Sequence, residues 1–188
     1  RAKNLWWCWN ENAKALFKPV DAEVWHNSGH NPMAVLDVVT LKRFQALSKD
    51  ASFMAQYESV MKDFNDYMSL KKDRKDPSVA YFCMEYGLDS SLSIYSGGLG
   101  ILAGDYLKET SDMNVNLVAV GLLYRYGYFT QVLSAQGDQV ARYDAQNFTK
   151  IPAEPVMDQD GNWLTTSVAC PGRNLTARIW KVAVGRTD

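Results

Sequence analysis

Two continuous apolar runs of strand length, Val79 to Met84 and Val115 to Tyr124, bracket a stretch in which Leu99, Leu102, Ala103, Tyr106 and Leu107 recur at helical spacing. Apolar runs without alternation belong to strands covered on both faces. Strand, crossover helix, strand is the βαβ unit of a parallel sheet, connected with right-handed sense. This pattern restricts the second half of the chain to α/β architectures. Beyond it the runs shorten and alternate, at Tyr128 to Leu133, Gln139 to Tyr143, Trp163 to Ala169 and Leu175 to Val184, with Gly127, Gly137, Gly161 and Gly172 near the turns. Such short alternating runs predict a β-meander.

Ahead of Pro77 the texture is helical. Phe53, Tyr57, Val60, Phe64 and Tyr67 make one stripe, widened by Met61 and Met68, while Glu58, Lys62, Asp63 and Asp66 fill the opposite face. That is an amphipathic helix. Asp50 is placed to cap its start, Lys71 and Lys72 suit its negative end, and Pro77 forbids continuation. Shorter helices are expected around Ala13 to Phe17, Met33 to Val39 and Leu41 to Ser48. Residues 1–76 are therefore expected to form a helical extension, and residues 77–188 an α/β unit.

Several classes of function are excluded by composition. Lys and Arg total 20 against 21 Asp and Glu, and neither half has a strong excess of one sign, so no basic footprint for nucleic acid is present. The longest apolar stretch, Leu117 to Tyr124, falls far short of the ~20 residues that span a bilayer. No signal peptide opens the chain. Cys8, Cys83 and Cys170 are an odd, widely spaced set that does not read as a disulfide framework. The expectation is a cytoplasmic protein without membrane contact, in which the sequons at Asn147 and Asn174 are chance. The chain opens on Arg1 and closes on Asp188 just after a strand-like run, so it is expected to be a piece of something longer.

Ser96-Gly97-Gly98-Leu99-Gly100 stands where the crossover helix begins. Glycines let backbone N–H groups approach a ligand closely, and a helix N-terminus carries roughly half a positive charge. Together they suit a phosphate or another anion. A tight turn packing the helix on the sheet explains the same residues. Gly98-x-Gly100-x-x-Ala103 formally matches a dinucleotide fingerprint. Against it, the glycines stand well beyond the first strand, and no acidic residue follows in Leu117 to Tyr124, where one should bind the ribose.

Other constellations read more plainly. His26 and His30 have a zinc-like spacing, but Asn27-Ser28-Gly29 between them breaks helix, which favours capping or surface hydrogen bonds over a metal. Asp158-Gln159-Asp160-Gly161-Asn162 resembles the opening of a calcium loop without its closing glutamate, so a hairpin turn is expected. Trp6-Trp7-Cys8-Trp9 could stack on sugar rings, although aromatic residues at the start of a helical domain usually pack inside. Glu85 follows the first strand, where functional carboxylates often sit, but no partner carboxylate is identifiable for a hydrolase pair. A nucleophile elbow and a phosphate-binding loop with Gly-Lys-Ser/Thr are both missing. No metal site is expected.

The motifs carry more together. Asn4-Leu5-Trp6-Trp7-x-Trp9-Asn10, Gly29-His30-Asn31-Pro32, Tyr81-Phe82-Cys83-Met84-Glu85-Tyr86-Gly87-Leu88, Ile94-Tyr95-Ser96-Gly97-Gly98-Leu99-Gly100-x-Leu102-Ala103-Gly104-Asp105 and Val120-Gly121-Leu122-Leu123-Tyr124-Arg125-x-Gly127-Tyr128-Phe129-x-Gln131 occur in that order. The series resembles the N-terminal part of bacterial α-glucan (glycogen/maltodextrin) phosphorylases, in the subgroup that opens with a helical extension. The resemblance covers nearly the whole chain. It implies that residues 77–188 are a truncated part of a Rossmann-like (GT-B type) N-terminal catalytic domain. It also implies an enzyme releasing glucose 1-phosphate from an α-1,4-glucan with inorganic phosphate, working with pyridoxal phosphate and, when full length, as a homo-oligomer. Gly97, Gly98, Leu99 and Gly100 match that family's substrate- and phosphate-binding loop, with Gly98 offering an N–H to phosphate and Leu99 packing on the sugar. The cofactor lysine lies in the half of the family's sequence that this chain does not contain. No catalytic residue is therefore assigned here, and the chain alone is expected to be inactive. Ser96 stands where large animal and plant members carry Asn, and Cys83 replaces an aromatic residue of theirs, so nothing is carried over for Cys83.

Two other readings compete. A glycogen synthase-like glucosyltransferase also carries a Gly-Gly-Leu-Gly loop, but has a lysine shortly before the glycines and no helical extension; Ser93-Ile94-Tyr95 and the preceding α segment argue against it. A non-catalytic module would use Trp6, Trp7, Trp9 and Trp25 to bind glucan or a partner subunit.

Overall fold

The computed structural model describes residues 2–70 and 78–187. Lys71, Lys72, Pro77 and the boundary at residue 76 lie outside the described residues. A 3-10 turn at Leu5–Trp9 leads into five helices: α1 (Glu11–Ala15), α2 (Ala22–Asn27), α3 (Pro32–Val38), α4 (Leu41–Leu47) and α5 (Ala51–Ser69). Each starts on a polar side chain that accepts a first-turn N–H: Asn10 from Ala13, Asp21 from Val24, Asn31 from Met33 and Ala34, Thr40 from Arg43, and Asp50 from Ser52 and Phe53. Each such cap contributes about 1 kcal/mol. Short helices that propensity alone would not hold thus have defined starts.

Strand β1 (Val79–Phe82), helix α6 (Gly98–Asp112) and strand β2 (Leu117–Val120) follow. The two strands pair in parallel, with Val79 opposite Leu117 and Phe82 opposite Val120. The strand–helix–strand unit is therefore present, in a mixed α/β chain. Its environment differs from expectation. Apolar runs predict cover on both faces, yet Phe82 is 71% exposed and Val79, Val118 and Val120 are each more than 40% exposed. Among the described residues the sheet has these two strands, and nothing packs over the exposed side chains on their outer faces. Nor do all the apolar residues of α6 face inward. Its buried stripe is Gly100, Ala103, Gly104, Leu107, Thr110 and Ser111, while Leu99, Leu102 and Tyr106 are exposed.

The alternating runs do become antiparallel pairs, but not one meander sheet. Strands β3 (Thr130–Leu133) and β4 (Gln139–Arg142) form one hairpin. β5 (Glu154–Pro155) pairs with β8 (Trp180–Lys181), and β6 (Thr165–Cys170) with β7 (Arg173–Arg178). Among the described residues these are separate two-stranded sheets, although Ile179 alone separates β7 from β8 and bonds through its backbone to Val156 and Leu164.

One buried cluster draws on both parts of the sequence. Leu5, Trp6, Trp7, Val35 and Val60 share it with Leu88, Leu92, Ala103, Leu107 and Val184. Trp6 packs on Phe64 and Tyr67 of α5, at centroid distances of 5.3 and 5.8 Å. Polar contacts fasten the same joint. The Asn4 side chain donates to the Gly185 carbonyl at 2.8 Å and accepts its N–H at 2.9 Å, while the Leu5 N–H donates to Ala183 O at 2.8 Å. The Tyr67 hydroxyl lies 2.6 Å from Ser111 Oγ and donates to Asp112 Oδ1 at 2.7 Å, both at the end of α6. No helix among the described residues is long and apolar enough to cross a membrane.

Burial leaves three groups that resist ionisation. It pushes the Cys8 thiol from 9.0 up to about 12, and the Tyr67 and Tyr86 hydroxyls from 10.0 up to about 12. A group whose folded pKa is raised contributes stability below its unfolded value and loses it as pH climbs to the folded one. The urea midpoint of the protein is therefore expected to hold between pH 7 and 9 and to fall between about 9 and 12. Tyr86→Phe should flatten the part of that decline above pH 10; an unchanged alkaline slope would contradict the role of its hydroxyl, which donates to Tyr81 O (2.8 Å) and Val120 O (3.1 Å) across the parallel pair.

Candidate functional site

The chain leaves β1 and turns beneath α6. Tyr86, Gly87 and Leu88 are buried, Leu92 and Ile94 are inserted into the core, and Ser93 is tied by its N–H to Gln146 Oε1 at 2.9 Å. These anchors deliver Ser96 and Gly97 to the start of α6. The Gly87 N–H donates to Gly100 O at 2.6 Å, which fastens the first turn to the loop under it.

The four glycine-loop positions divide by environment. A Cβ on Gly100 would overlap Cβ of Tyr95 and lie 3.1 Å from Tyr95 Cγ and 3.2 Å from Glu85 Oε2, so this glycine is required by packing. Around Gly97 and Gly98 a Cβ would meet nothing within 4 Å. Their backbone, with Ser96 and Leu99, is exposed. Nothing within the described chain demands glycine at 97 or 98. What they provide is bare, accessible backbone.

Electrostatics sharpen the contrast between the two ends of α6. Unlike α1 to α5, it has no side-chain cap: Gly97 is its N-cap and offers none. First-turn N–H groups have no intrahelical acceptor, so those of Gly98 to Gly100 concentrate the positive end of a 15-residue helix. The other end is neutralised. Arg186 donates from Nε to Ser111 O at 2.9 Å and from Nη2 to Asp112 O at 2.8 Å, and its guanidinium lies 3.9 Å over the Tyr67 ring. The neighbouring carboxylate is that of Glu85, which accepts the Ser96 N–H on Oε2 (3.3 Å) and the Ser96 hydroxyl on Oε1 (3.2 Å).

The remaining sequence candidates are placed elsewhere. His26 sits in the last turn of α2 and His30 beyond it at φ 67°, both exposed, with ring centroids 6.5 Å apart. Among the described residues no group of three His, Cys, Asp or Glu side chains could hold a metal. The Asp158 segment is a turn: its carboxylate accepts the N–H groups of Asp160 and Asn162, which holds its pKa below the usual carboxylate value, the bond from Asn162 contributing most. Trp6, Trp7 and Trp25 are buried, and Trp9 donates to Asp112 Oδ1 at 3.3 Å. Trp6, Trp7 and Trp25 are so enclosed that they cannot stack on a sugar, which leaves the half-buried Trp9 as the one member of that set with an accessible ring. The three cysteines are unpaired. Two surface grooves among the described residues are lined by other residues, one by Lys18, Val20, Val39 and Arg43 among others, one by Lys3, Pro152, Glu154 and Lys181.

Sequence reasoning located Glu85 by its place after β1 but not its partner Ser96. It placed Tyr67 in the apolar stripe of a helix without foreseeing its hydroxyl's partners, and it missed Arg186 and Ser111. No local signal could have found that clamp, since its members are 75 and 44 residues apart.

A family described as "Protein of unknown function (DUF3417)" matches residues 1–92. Over 98% of its length the chain is 40% identical to a maltodextrin phosphorylase of Thermococcus litoralis, of which it covers 23%. It is 40% identical to a glycogen phosphorylase of Mycobacterium tuberculosis over 97% of the chain and 23% of that protein. A glycogen phosphorylase of Aquifex aeolicus is 37% identical over 99% of the chain, which covers 27% of it. The chain thus spans about a quarter of the length of these relatives.

Proposed function

We propose that this chain, homologous over nearly all its length to glycogen and maltodextrin phosphorylases, is the N-terminal part of an α-1,4-glucan phosphorylase and supplies that enzyme's phosphate-facing loop. The observation that carries the reading is the open, uncapped first turn of α6 at Gly98–Gly100, within the stretch those relatives match. Residues 77–188 contribute β1–α6–β2 to a Rossmann-like, GT-B type domain of a cytoplasmic homo-oligomer, and residues 1–76 are its helical extension. The exposed outer faces of β1 and β2 support this reading, because a larger sheet and its helices would cover them.

In the reaction the bond from the terminal glucosyl C1 to the glycosidic oxygen breaks and a phosphate oxygen bonds to C1 with retained configuration. The departing 4-hydroxyl takes up a proton. Gly97, Gly98, Leu99 and Gly100 form the substrate- and phosphate-binding loop. The Gly98 N–H donates to phosphate, and Leu99, 53% exposed, packs against the sugar ring. Amides fixed at a helix end stabilise charge without reorganising as it develops, and holding phosphate beneath the anomeric carbon supplies orientation. Pyridoxal phosphate, the cofactor this reading implies, supplies a phosphate group for proton transfer. By the same resemblance, its attachment lysine belongs to the part of the enzyme beyond this chain.

The test uses the full-length protein with maltodextrin and inorganic phosphate, assayed for glucose 1-phosphate. Release is expected, together with a mass gain on borohydride reduction that fits a reduced pyridoxal-phosphate adduct. The isolated chain should release none. A full-length protein that uses ADP-glucose and ignores phosphate would overturn the reading.

A further inference from the structure

We infer that Glu85 is the positioning residue of the glycine loop, a brace that fixes Ser96 so that the first-turn amides of α6 face outward. Its role in phosphate binding rests on the reading above; its role in holding the loop does not. Ser96 is the last residue before the glycines, and a loop of bare glycine backbone has the greatest conformational freedom to lose on ordering. Side-chain caps define the starts of α1 to α5, but α6 has none. The Glu85 carboxylate leaves the first-turn amides free and holds instead the residue that precedes the N-cap, from a distance in sequence. Oε2 accepts the Ser96 N–H at 3.3 Å and Oε1 accepts the Ser96 hydroxyl at 3.2 Å.

The position of the carboxylate matters as much as its bonds. Oε2 lies 3.2 Å from where a Gly100 Cβ would be, on the inner side of the turn, where Tyr95 also packs. The outer side, around Gly97 and Gly98, is empty within 4 Å. Glu85 therefore holds the loop from behind and leaves the ligand side free. Its backbone is fixed in turn: Tyr86 next to it is buried and hydrogen-bonded to β1 and β2, and the Met84 carbonyl accepts the Tyr124 hydroxyl at 3.2 Å. A negative charge placed there would also repel an incoming phosphate, and the two effects make opposite predictions.

Two measurements on full-length protein separate them, using Glu85→Ala, Glu85→Gln and Ser96→Ala. Bracing by hydrogen bonds predicts that E85A raises the phosphate KM about tenfold, the equivalent of one charge-assisted bond, with the maltodextrin KM within about twofold. E85Q keeps an acceptor oxygen and the side-chain shape, so it should restore most of the loss. S96A should cost less than E85A, and adding it to E85A should cost nothing more. Hydrogen–deuterium exchange of the two hydrogen-bonded amides that flank the glycines, Ser96 (to Glu85) and Ile101 (to Gly97 O), should rise in E85A and return towards wild type in E85Q, with the rest of α6 unchanged. Phosphate KM unchanged or lowered in both E85A and E85Q, or loop exchange unaltered in E85A, would overturn the inference. Should the wild-type protein release no glucose 1-phosphate, the phosphorylase reading fails while the exchange measurement still decides the role of Glu85.

Discussion

Gly98→Pro in the full-length protein is expected to reduce phosphorolysis roughly 10²- to 10³-fold, the usual consequence of deleting one preorganised donor to a developing anion, while the protein melts where the wild type does. Proline is well tolerated at the first position of a helix, where its missing N–H would have had no intrahelical partner. Gly98 occupies that position in α6. The preceding residue must be extended, and Gly97 is, at φ −149° and ψ −156°. No atom lies within 4 Å of a Cβ at 98. The substitution thus replaces the amide hydrogen by a ring carbon at a backbone position that accepts proline, so the fold should be kept. Gly98→Ala is the control, since it adds a methyl group but keeps the N–H. Equal losses in the two variants would show that bulk matters there, and that the amide is not the donor.

The second large effect is on stability. A Cβ at Gly104 would run into the Gly87 carbonyl oxygen, with the Gly87 carbonyl carbon at 2.6 Å and its nitrogen at 3.1 Å. Both partners are backbone, so no rotamer change relieves the overlap, and α6 would have to lift away from the loop beneath it. Overpacking of this kind costs up to about 3 kcal/mol. Alanine returns about 1 kcal/mol through its better helix propensity. Gly104→Ala is then expected to destabilise by about 2 kcal/mol, or roughly 4–8 °C in melting temperature for a domain of this size. Lifting α6 would also stretch the Gly87 N–H bond to Gly100 O, so the phosphate KM should rise with the loss of stability. An unshifted melting curve would contradict the close helix–loop approach.

These two positions also show what could be read without coordinates. The start of α5 was legible because Asp50 acts on residues two or three places away, whereas α2, capped by Asp21, is only six residues long and offers too little periodicity to be read. The parallel pair was legible because Val79 to Phe82 and Leu117 to Val120 are continuous apolar runs with a helical period between them. Periodicity misjudged what covers them. It assumes that each apolar face finds a partner, and the outer faces of β1 and β2 find none among the described residues. The glycine loop was legible as a type of site, but not the division of labour within it. Only coordinates show that Gly100 is glycine because Tyr95 and Glu85 crowd it, whereas Gly98 has open space. The Tyr67–Ser111–Arg186 clamp was not legible, because its members meet only after the whole chain has folded.

The reciprocal hydrogen bonds between Asn4 and Gly185 span 181 residues. At a synthesis rate of roughly 5–20 residues per second, about 10–35 s separate the emergence of one partner from that of the other. During that interval Leu5, Trp6 and Trp7, buried in the finished protein, lack the C-terminal half of their enclosure. The tryptophan-rich segment can pack early on Phe17, Phe64 and Tyr67, but its seal closes only once the last residues of the chain are made.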